Sequence, residues 1–392
     1  MAHAETSDGE RPRVETPSSA GATAAALSEA AAAGLRVRPR GGGTKLGWGR
    51  PAAADLELRT GALHRIVAHD AGDLTAVVEA GVPLAAAQAA FAERGQRLAL
   101  DPPDPGGATL GGIVATGDSG PLRHRFGAPR DLLLGLAVAL PDGTVARAGG
   151  RVIKNVAGYD LAKLMAGSFG TLGVVVEVAL RLHPLPDGAV TLRAGTGDAD
   201  ALASAAAALA RGPLQPEALD AVWHGGAGAV LVRFAGTAPA AQAEEAAGLI
   251  AEAGLTAEAV DDEPAWAAQR AGQRAAPGGA IVRVSGRPSA LPAALAAAEA
   301  EGAALVGRVA VGVWWLRLAP AEAEAQAAAV GRVRAALAPA PCVVLDAPDE
   351  VRAALDPWDE PADGPRAELM RRVKARFDPA GTCNRGRFAA EI

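Results

Sequence analysis

Residues 101–120 read Asp-Pro-Pro-Asp-Pro-Gly-Gly-Ala-Thr-Leu-Gly-Gly-Ile-Val-Ala-Thr-Gly-Asp-Ser-Gly. The prolines stiffen the start of this stretch, and the glycines after them free the backbone from side-chain hindrance. Six side chains in or just after it offer hydroxyl or guanidinium donors to phosphate oxygens: Thr109, Thr116, Ser119, Arg123, Arg125 and Arg130. Because residues 101–128 show little helical periodicity and are too many for an ordinary connection, the sequence predicts a binding loop for an anion such as phosphate.

A second glycine-rich stretch, Arg40-Gly41-Gly42-Gly43-Thr44, follows a predicted strand at 35–39. Consecutive glycines permit positive φ and let backbone N–H groups converge on an anion, although a tight turn would also use them. Spacing excludes two nucleotide-binding patterns. A Walker A loop needs Ser or Thr after its lysine, and a Rossmann fingerprint would need glycine at position 46, but Leu46 follows Lys45.

The composition narrows the class of protein. The chain has 392 residues, half of them hydrophobic and 21% charged, with a formal net charge of -6. An acidic balance argues against nucleic acid as a partner. The two cysteines, Cys342 and Cys383, cannot build a disulfide framework, a zinc site or an iron–sulfur site by themselves. No apolar run reaches the length of a membrane span or a signal peptide, so we expect a protein of the reducing cytoplasm.

Hydrophobic periodicity outlines two α+β regions. Helices are predicted at 23–33, 83–94, 199–210, 239–253, 290–300 and 321–338. Strands are predicted at 35–39, 55–58, 66–69, 76–80, 131–139, 144–148, 172–182, 221–234, 280–285, 305–318 and 342–345. The order of elements from about Ala189 to Asp346 favours a ferredoxin-like β-α-β-β-α-β plan in duplicate, with helices on one face of a sheet. Residues 261–263 are predicted to lie in a solvated loop, and the acidic stretch 356–363 on the surface.

Four motifs, in this order along about 150 residues, resemble the FAD-binding domain of the vanillyl-alcohol-oxidase superfamily, also called PCMH-type. They are R-G-G-G-T-K, A-T-L-G-G-x-V-A-T-x-x-S-G-P, K-N-V-A-G-Y-D-L-x-K-L and G-S-F-G-T-L-G-V. The resemblance implies an α+β fold: a two-subdomain PCMH-type FAD-binding domain plus a smaller ferredoxin-like α+β cap domain. The boundaries that follow are a disordered tail at 1–22, the FAD-binding domain at 23–187, the cap domain at 188–349, and a C-terminal helix and tail at 350–392 that return to the FAD domain.

The same resemblance implies which residues bind FAD. The pyrophosphate would lie between the two glycine-rich stretches, and the strand that opens at Gly173 would run along a flat ring system. The implied cofactor-binding residues are Arg40, Gly41, Gly42, Gly43, Thr44, Lys45, Pro103, Ala108, Thr109, Gly111, Gly112, Thr116, Ser119, Gly120, Gly173 and Val174. Covalent members of the superfamily carry the linking histidine where Thr44 stands here. Threonine cannot form that bond, so we expect non-covalent FAD.

A narrower resemblance is to the FAD-binding subunits of bacterial glycolate oxidases. It rests on Gly95-Gln96-Arg97-Leu98, on Ser119-Gly120-Pro121-Leu122-Arg123 and on the tail Phe377-Asp378-Pro379…Asn384-x-Gly386-Arg387. It also covers the third motif, which contains Tyr159, the one tyrosine, for which a packing role is expected. Superfamily members that oxidise 2-hydroxy acids usually carry a histidine cluster in their second half, but only His224 follows His183 here.

Three functions remain open. The resemblance implies an FAD-carrying subunit of a glycolate oxidase complex that works with a second flavoprotein and an iron–sulfur subunit, in the cytoplasm or at the inner membrane through that complex. A self-sufficient dehydrogenase of a small 2-hydroxy acid or alcohol is the second hypothesis, and a non-catalytic scaffold is the third. The sequence identifies no catalytic residue and no metal site. Four arginines on or beside predicted strands are candidates for binding a carboxylate substrate: Arg283, Arg287, Arg308 and Arg317.

Overall fold

A computed structural model describes residues 11–104, 106–150, 160–361 and 363–392. The third sequence motif, including Tyr159, lies largely outside these residues, so its expected packing role stays a prediction. No helix among the described residues is both long and apolar enough to cross a membrane.

The N-terminal region forms a small parallel sheet with one long helix. Its elements are β1 (Arg13–Glu15), α1 (Ala20–Ala32), β2 (Val37–Arg40) and β3 (Leu56–Arg59), and the strand order is β1-β3-β2. The Ser19 side chain accepts a hydrogen bond from the backbone N–H of Ala22 and so caps α1. Arg13–Glu15 had been predicted to belong to a disordered tail. The structure corrects this, because the three residues pair with Leu56–Leu58 as an edge strand.

A five-stranded antiparallel sheet follows, in the order β4-β5-β9-β7-β8. Its strands are β4 (Ile66–Asp70), β5 (Thr75–Glu79), β7 (Leu133–Ala139), β8 (Val145–Gly149) and β9 (Val174–Arg181), and β6 (Gln96–Arg97) pairs separately with β10 (His183–Pro184). The helices are α2 (Leu84–Ala92), α3 (Leu110–Thr116), α4 (Arg123–Phe126), α5 (Pro129–Leu132) and α6 (Leu161–Met165). Helix α1 packs Leu27 against this sheet, in one cluster with Ala137, Val174 and Val176.

Two sequence predictions fail in this region. The stretch 101–128 was expected to lack helices, but it contains α3 and α4, and α3 buries Leu110, Ile113 and Val114. The strand predicted to begin at position 131 begins at Leu133, because Pro129 starts a helical turn.

The second region is built on an eight-stranded antiparallel sheet in the order β14-β11-β13-β12-β16-β17-β15-β18. Its strands are β11 (Ala189–Thr196), β12 (Ala218–His224), β13 (Ala227–Ala235), β14 (Ala257–Val260), β15 (Ala280–Ser285), β16 (Ala304–Arg308), β17 (Val313–Leu318) and β18 (Cys342–Val344). Helices α7 (Ala199–Arg211), α8 (Pro239–Glu252), α10 (Leu291–Ala300) and α11 (Ala323–Leu337) share a core with one face of it. Helix α9 (Asp262–Ala271) packs Trp266 against Ala218, Ala229 and Leu231 on the opposite face.

The cap region therefore follows the predicted plan of one sheet with helices on a face, with three local corrections. The strands predicted at 221–234 and 305–318 are each two strands, separated at Gly225-Gly226 and around Gly312, all at positive φ. Residues 261–263, predicted to be a solvated loop, are the start of α9. The Asp262 side chain is bonded there to Arg233 and Thr191.

The C-terminal segment comprises α12 (Asp349–Ala354), α13 (Pro365–Phe377) and the residues after α13. The buried Lys374 ammonium donates to the carboxylate of Asp378 at 2.6 Å and to the carbonyl oxygens of Thr171 and Cys383. The N–H of Val37 in β2 donates to the carbonyl oxygen of Thr382, and the N–H of Asn384 donates to the carbonyl oxygen of Val37. The last residues of the chain are thus fixed against the first region.

Candidate functional site

A cleft lies between the small parallel sheet and the five-stranded sheet. One wall is the loop after β2, and the other is α3 with the two residues before it, together with the start of β9. The lining residues are Pro39, Arg40, Gly41, Gly42, Gly43, Thr44, Lys45, Leu46, Thr60, Ala108, Thr109, Gly111, Gly112, Ile113, Ala115, Thr116, Phe169, Gly170, Gly173, Val174, Val175, Asn384 and Arg387. The fold therefore brings together three glycine-rich stretches that are far apart in the sequence.

The loop after β2 presents free backbone donors. Among the described residues, the N–H groups of residues 42–45 have no hydrogen-bond acceptor. Gly43 has a φ of 78°, which favours glycine, and it turns the chain so that successive amides line the cleft. Unpartnered amides that line a cleft are a binding site for an anion.

The opposite wall is arranged differently. The N–H groups of Leu110 and Gly111 already donate to the carbonyl oxygens of Val82 (3.0 Å) and Ala80 (2.8 Å). The N–H of Gly112 reaches only the Thr109 hydroxyl oxygen, at 3.4 Å. This wall therefore offers a ligand the weakly engaged N–H of Gly112 and the hydroxyl of Thr109, rather than a row of free amides.

Close backbone approach explains two of the glycines. A Cβ on Gly42 would overlap the carbonyl oxygen of Gly107, and one on Gly111 would lie 2.5 Å from the Cβ of Ala80. Neither collision involves a ligand. Gly42 therefore joins the two walls, and Gly111 fixes α3 against β5.

Of the predicted cofactor-binding residues, thirteen line the cleft and three do not. Pro103 is buried away from the lining. Gly120 packs against the backbone of Asp101, and the hydroxyl of Ser119 lies 3.3 Å from a guanidinium nitrogen of Arg123. A direct contact of these three residues with a cofactor stays a prediction that the geometry of the cleft does not favour.

The sequence reasoning missed two lining residues from the far end of the chain. The Asn384 amide donates to the carbonyl oxygen of Phe169 at 2.6 Å, and the Arg387 guanidinium donates to the carbonyl oxygen of Leu46. Burial lowers the pKa of Arg387 to about 10, so it remains a cation at neutral pH. The tail motif Asn384-x-Gly386-Arg387 contains both residues and is the sequence signal that points to them.

A buried ion pair connects the two walls at one end of the cleft. The Lys45 ammonium lies 3.1 Å from a carboxylate oxygen of Asp118, and both side chains are almost fully buried. Burial raises the pKa of Asp118, while the charge of Lys45 opposes that shift. The pair places a titratable carboxyl group beside the loop after β2. The sequence predicts only glycines and hydroxyl-bearing side chains at this end of the cleft.

The four candidate arginines of the second region do not form one site. Arg308 is fully buried, lies over the Trp315 ring and donates to the carbonyl oxygen of Gly120 at 3.1 Å. Arg283 projects from the same face of the sheet, and its Nε has no hydrogen-bond partner among the described residues. Burial lowers the pKa of Arg283, and the nearby cation Arg123 adds to this effect. Arg287 and Arg317 are exposed.

No histidine lines the cleft among the described residues. Burial lowers the pKa of His124 and of His183 to about 4 in each case, so both are neutral at pH 7. The described residues also contain no group of three or more His, Cys, Asp or Glu side chains placed to hold a metal ion.

Comparison with known proteins agrees with this geometry. The sequence profile of an FAD-binding domain family matches residues 12–149. Glycolate oxidase subunit GlcE of Escherichia coli is 41% identical over 157 residues, which cover 39% of this chain and 44% of that protein. Glycolate oxidase subunit GlcD of Bacillus subtilis is 35% identical over 188 residues, covering 47% of this chain and 39% of that protein. The matched segments thus span less than half of these relatives.

A solved structure of alkyldihydroxyacetonephosphate synthase has the same fold. Its TM-score is 0.70 at 14% sequence identity, over 95% of this chain and 75% of the synthase. The predicted α+β fold class is confirmed. The amides of residues 42–45, Thr109 and Gly112 fit a dinucleotide pyrophosphate, because they offer donors and no anionic side chain from either wall. Residues 12–149 match the FAD-binding domain family, and this match together with the FAD-linked relatives identifies FAD as the cofactor.

Proposed function

We propose that this chain is the FAD-carrying subunit of a complex that oxidises glycolate to glyoxylate. The observation that carries the proposal is the 41% identity to subunit GlcE of Escherichia coli glycolate oxidase, combined with an intact cleft between the glycine-rich loops. Relatives named as dehydrogenases of D-lactate and D-2-hydroxyglutarate support the wider class of 2-hydroxy acids.

FAD supplies an acceptor for the two electrons that leave a hydroxy acid when it becomes an oxo acid. The protein's part begins with binding: the amides of residues 42–45 would hold the pyrophosphate from one side, and Thr109 and Gly112 would hold it from the other. Thr44 carries no imidazole, so the cofactor is dissociable. Acid precipitation should release the yellow colour into the supernatant, whereas colour kept in the pellet would contradict this.

Removal of the hydroxyl proton needs a base within hydrogen-bond distance. The second-half histidine cluster of related hydroxy-acid dehydrogenases has no counterpart in this sequence. We infer that a second flavoprotein subunit supplies the base and that an iron–sulfur subunit takes the electrons onward, since two isolated cysteines cannot hold such a cluster.

A second candidate, a self-sufficient dehydrogenase, is favoured by one specific observation. The charge of Arg123, at the start of α4, helps to lower the pKa of Arg283 on the second sheet, and neither guanidinium is paired with a carboxylate among the described residues. Two neighbouring cations of this kind fit the carboxylate of a small hydroxy acid. Asp118, whose pKa burial raises, would then be the candidate base.

Anaerobic mixing with glycolate separates the two functions. The purified FAD-loaded chain should keep its flavin absorbance near ~450 nm, because a missing base costs roughly two or more orders of magnitude in rate. Bleaching that begins only after a second flavoprotein subunit is added supports the complex. Rapid bleaching by the chain alone, lost in Arg283→Met and Asp118→Asn, would establish the self-sufficient enzyme instead. A chain that purifies without FAD and binds none would favour a scaffold.

A further inference from the structure

A slot of about 730 Å³ lies in the second region, between α9 and the sheet face that carries no other helix of this region. Its floor is apolar and includes Val222, Leu231 and Val306, from three adjacent strands. The register places these side chains on the same face of the sheet. The slot shares no lining residue with the FAD cleft. Its volume falls within the usual range for small-molecule sites, roughly 300–1,000 Å³.

The wall of the slot is built from small residues. Helix α9 and the residue after it contribute Pro264, Ala265, Ala268, Ala271 and Gly272. None of them is large enough to fill the space above the strands, although larger apolar residues at these positions would bury more surface. Apart from Gln269, the residues that the helix presents to the slot are therefore small, and the slot persists for that reason.

The helix is held firmly at its N-terminal end, so the slot is not a loose edge. The Trp266 indole donates to the hydroxyl of Thr191 at 2.8 Å. The Asp262 carboxylate accepts a bidentate pair of hydrogen bonds from the Arg233 guanidinium. These bonds fix the spacing between α9 and the strands, and thus the width of the slot.

Two polar groups in the slot lack partners. Gln269 is only 3% exposed, and its buried carboxamide oxygen has no hydrogen-bond partner among the described residues. That oxygen has almost no accessible surface, so the unpartnered group that a ligand in the slot can reach is the cation Arg317. Arg317 lies at the rim, exposed and without an ion pair to a described acid. The rim also contains His224, Asp261 and Arg193, the last of which is paired with Glu258 at 3.3 Å.

We propose that this slot binds a small organic carboxylate with an apolar body. The apolar part lies between Ala268 and the floor, and the carboxylate meets Arg317, the rim cation that no described acid neutralises. The site is separate from the FAD cleft, so its ligand is an effector or a product carried by the same chain rather than the group that the flavin oxidises.

Octanoate, titrated into the full-length FAD-loaded chain by calorimetry, tests the proposal. Saturable 1:1 binding is expected. Arg317→Gln should weaken it by roughly tenfold or more, the scale of one charge-assisted hydrogen bond. Ala268→Leu should weaken it at least as much by filling the slot. Arg287→Gln removes another exposed arginine outside the slot and should leave binding unchanged.

The charge and the shape of the site are tested separately. n-Octanol, which has a similar apolar body without the carboxylate, should bind at least roughly tenfold more weakly than octanoate. Unchanged flavin absorbance and melting temperature in each variant show that the fold and the FAD cleft are intact. Absence of saturable octanoate binding, or equal binding by the parent, Arg317→Gln and Ala268→Leu proteins, overturns the proposal without touching the proposed oxidase function.

Discussion

The two glycine-rich stretches look alike in sequence and differ in structure. In the loop after β2, residues 42–45 keep their amides free for a ligand, whereas the amides of Leu110 and Gly111 are already bonded to Val82 and Ala80. Glycine serves ligand binding in the loop after β2, and it serves backbone packing in much of the stretch 101–120. A glycine motif therefore shows where chains approach closely, and only the hydrogen-bond partners show whether the neighbour is a ligand or the protein itself.

The largest effect is expected from Gly111→Val. The new Cβ would lie 2.5 Å from the Cβ of Ala80 and 2.9 Å from its carbonyl oxygen, and β5 cannot move without disturbing the sheet. We expect a loss of more than about 4 kcal/mol in the free energy of unfolding, the range of severe core overpacking. Urea unfolding, or insolubility on expression, measures this loss.

Gly42→Val should destabilise the fold similarly, since its Cβ would overlap the Gly107 backbone. Stable, well-folded variants would mean that packing does not require these glycines.

The difference between the stretches also shows what a sequence can reveal. The loop after β2 could be singled out from the sequence because consecutive glycines are a local property of the chain. Helix α3 was missed because Gly111 and Gly112 lower helix propensity, while the burial of Leu110, Ile113 and Val114 decides the outcome. Asn384 and Arg387 were not assigned to the site because their contacts, to Phe169 and Leu46, cross more than 200 residues.

Helix α9 was missed for another reason. The acidic residues 261–263 before a proline suggest a solvated loop, although acidic residues and proline are also common in the first turn of a helix. The ion pair between Asp262 and Arg233 could not be foreseen from the local pattern, since Arg233 lies on β13. Similarly, Gly225-Gly226 and Gly312 were available as turn signals and would have divided the two overlong strands.

The Lys45–Asp118 pair joins the two stretches. Breaking it should cause the next largest loss in the free energy of unfolding. Asp118→Asn leaves the buried Lys45 ammonium without its counter-charge, and such a loss typically costs about 3–5 kcal/mol. Chemical denaturation of the FAD-free chain measures this cost. The double variant Asp118→Asn with Lys45→Met serves as the control and should recover part of the stability, because it removes the stranded charge. A single variant as stable as the parent would show that the pair is not buried in solution.

A smaller effect on stability, one that depends on pH, is expected from Asp101 at the start of the stretch 101–120. Burial raises its pKa to about 7, although Arg308, Arg270 and the N–H of Leu122 act in the opposite direction and Asp220 adds to the increase. Between pH ~4 and pH ~7 the folded chain holds a proton that the unfolded chain has released. The free energy of unfolding should therefore fall as pH rises through this window, by up to about 1.4 kcal/mol per pH unit.

Asp101→Asn removes this titration, so its stability should decline less steeply from pH 4 to pH 7. Asp118 and Asp220, whose pKa values burial also raises, retain part of the slope. Urea midpoints measured across that range for both proteins provide the comparison. Identical slopes would show that Asp101 ionises normally in the folded chain.

The smallest effect on stability, and the sharpest test of the comparison, comes from Gly112→Ala. This residue is next to Gly111, but its added Cβ would meet only the Thr109 hydroxyl oxygen, at 3.2 Å, and its backbone already has helical geometry. Alanine within a helix is favoured over glycine by about 0.5–1 kcal/mol, so the melting temperature should stay level or rise slightly. The methyl group nevertheless enters the FAD cleft at the weakly engaged N–H of this wall. We expect FAD affinity to fall roughly tenfold or more, the cost of one charge-assisted hydrogen bond, as measured by fluorescence titration of the apoprotein. Full affinity in a stable Gly112→Ala protein would mean that α3 takes no part in holding the pyrophosphate and that the free amides of residues 42–45 bind it alone.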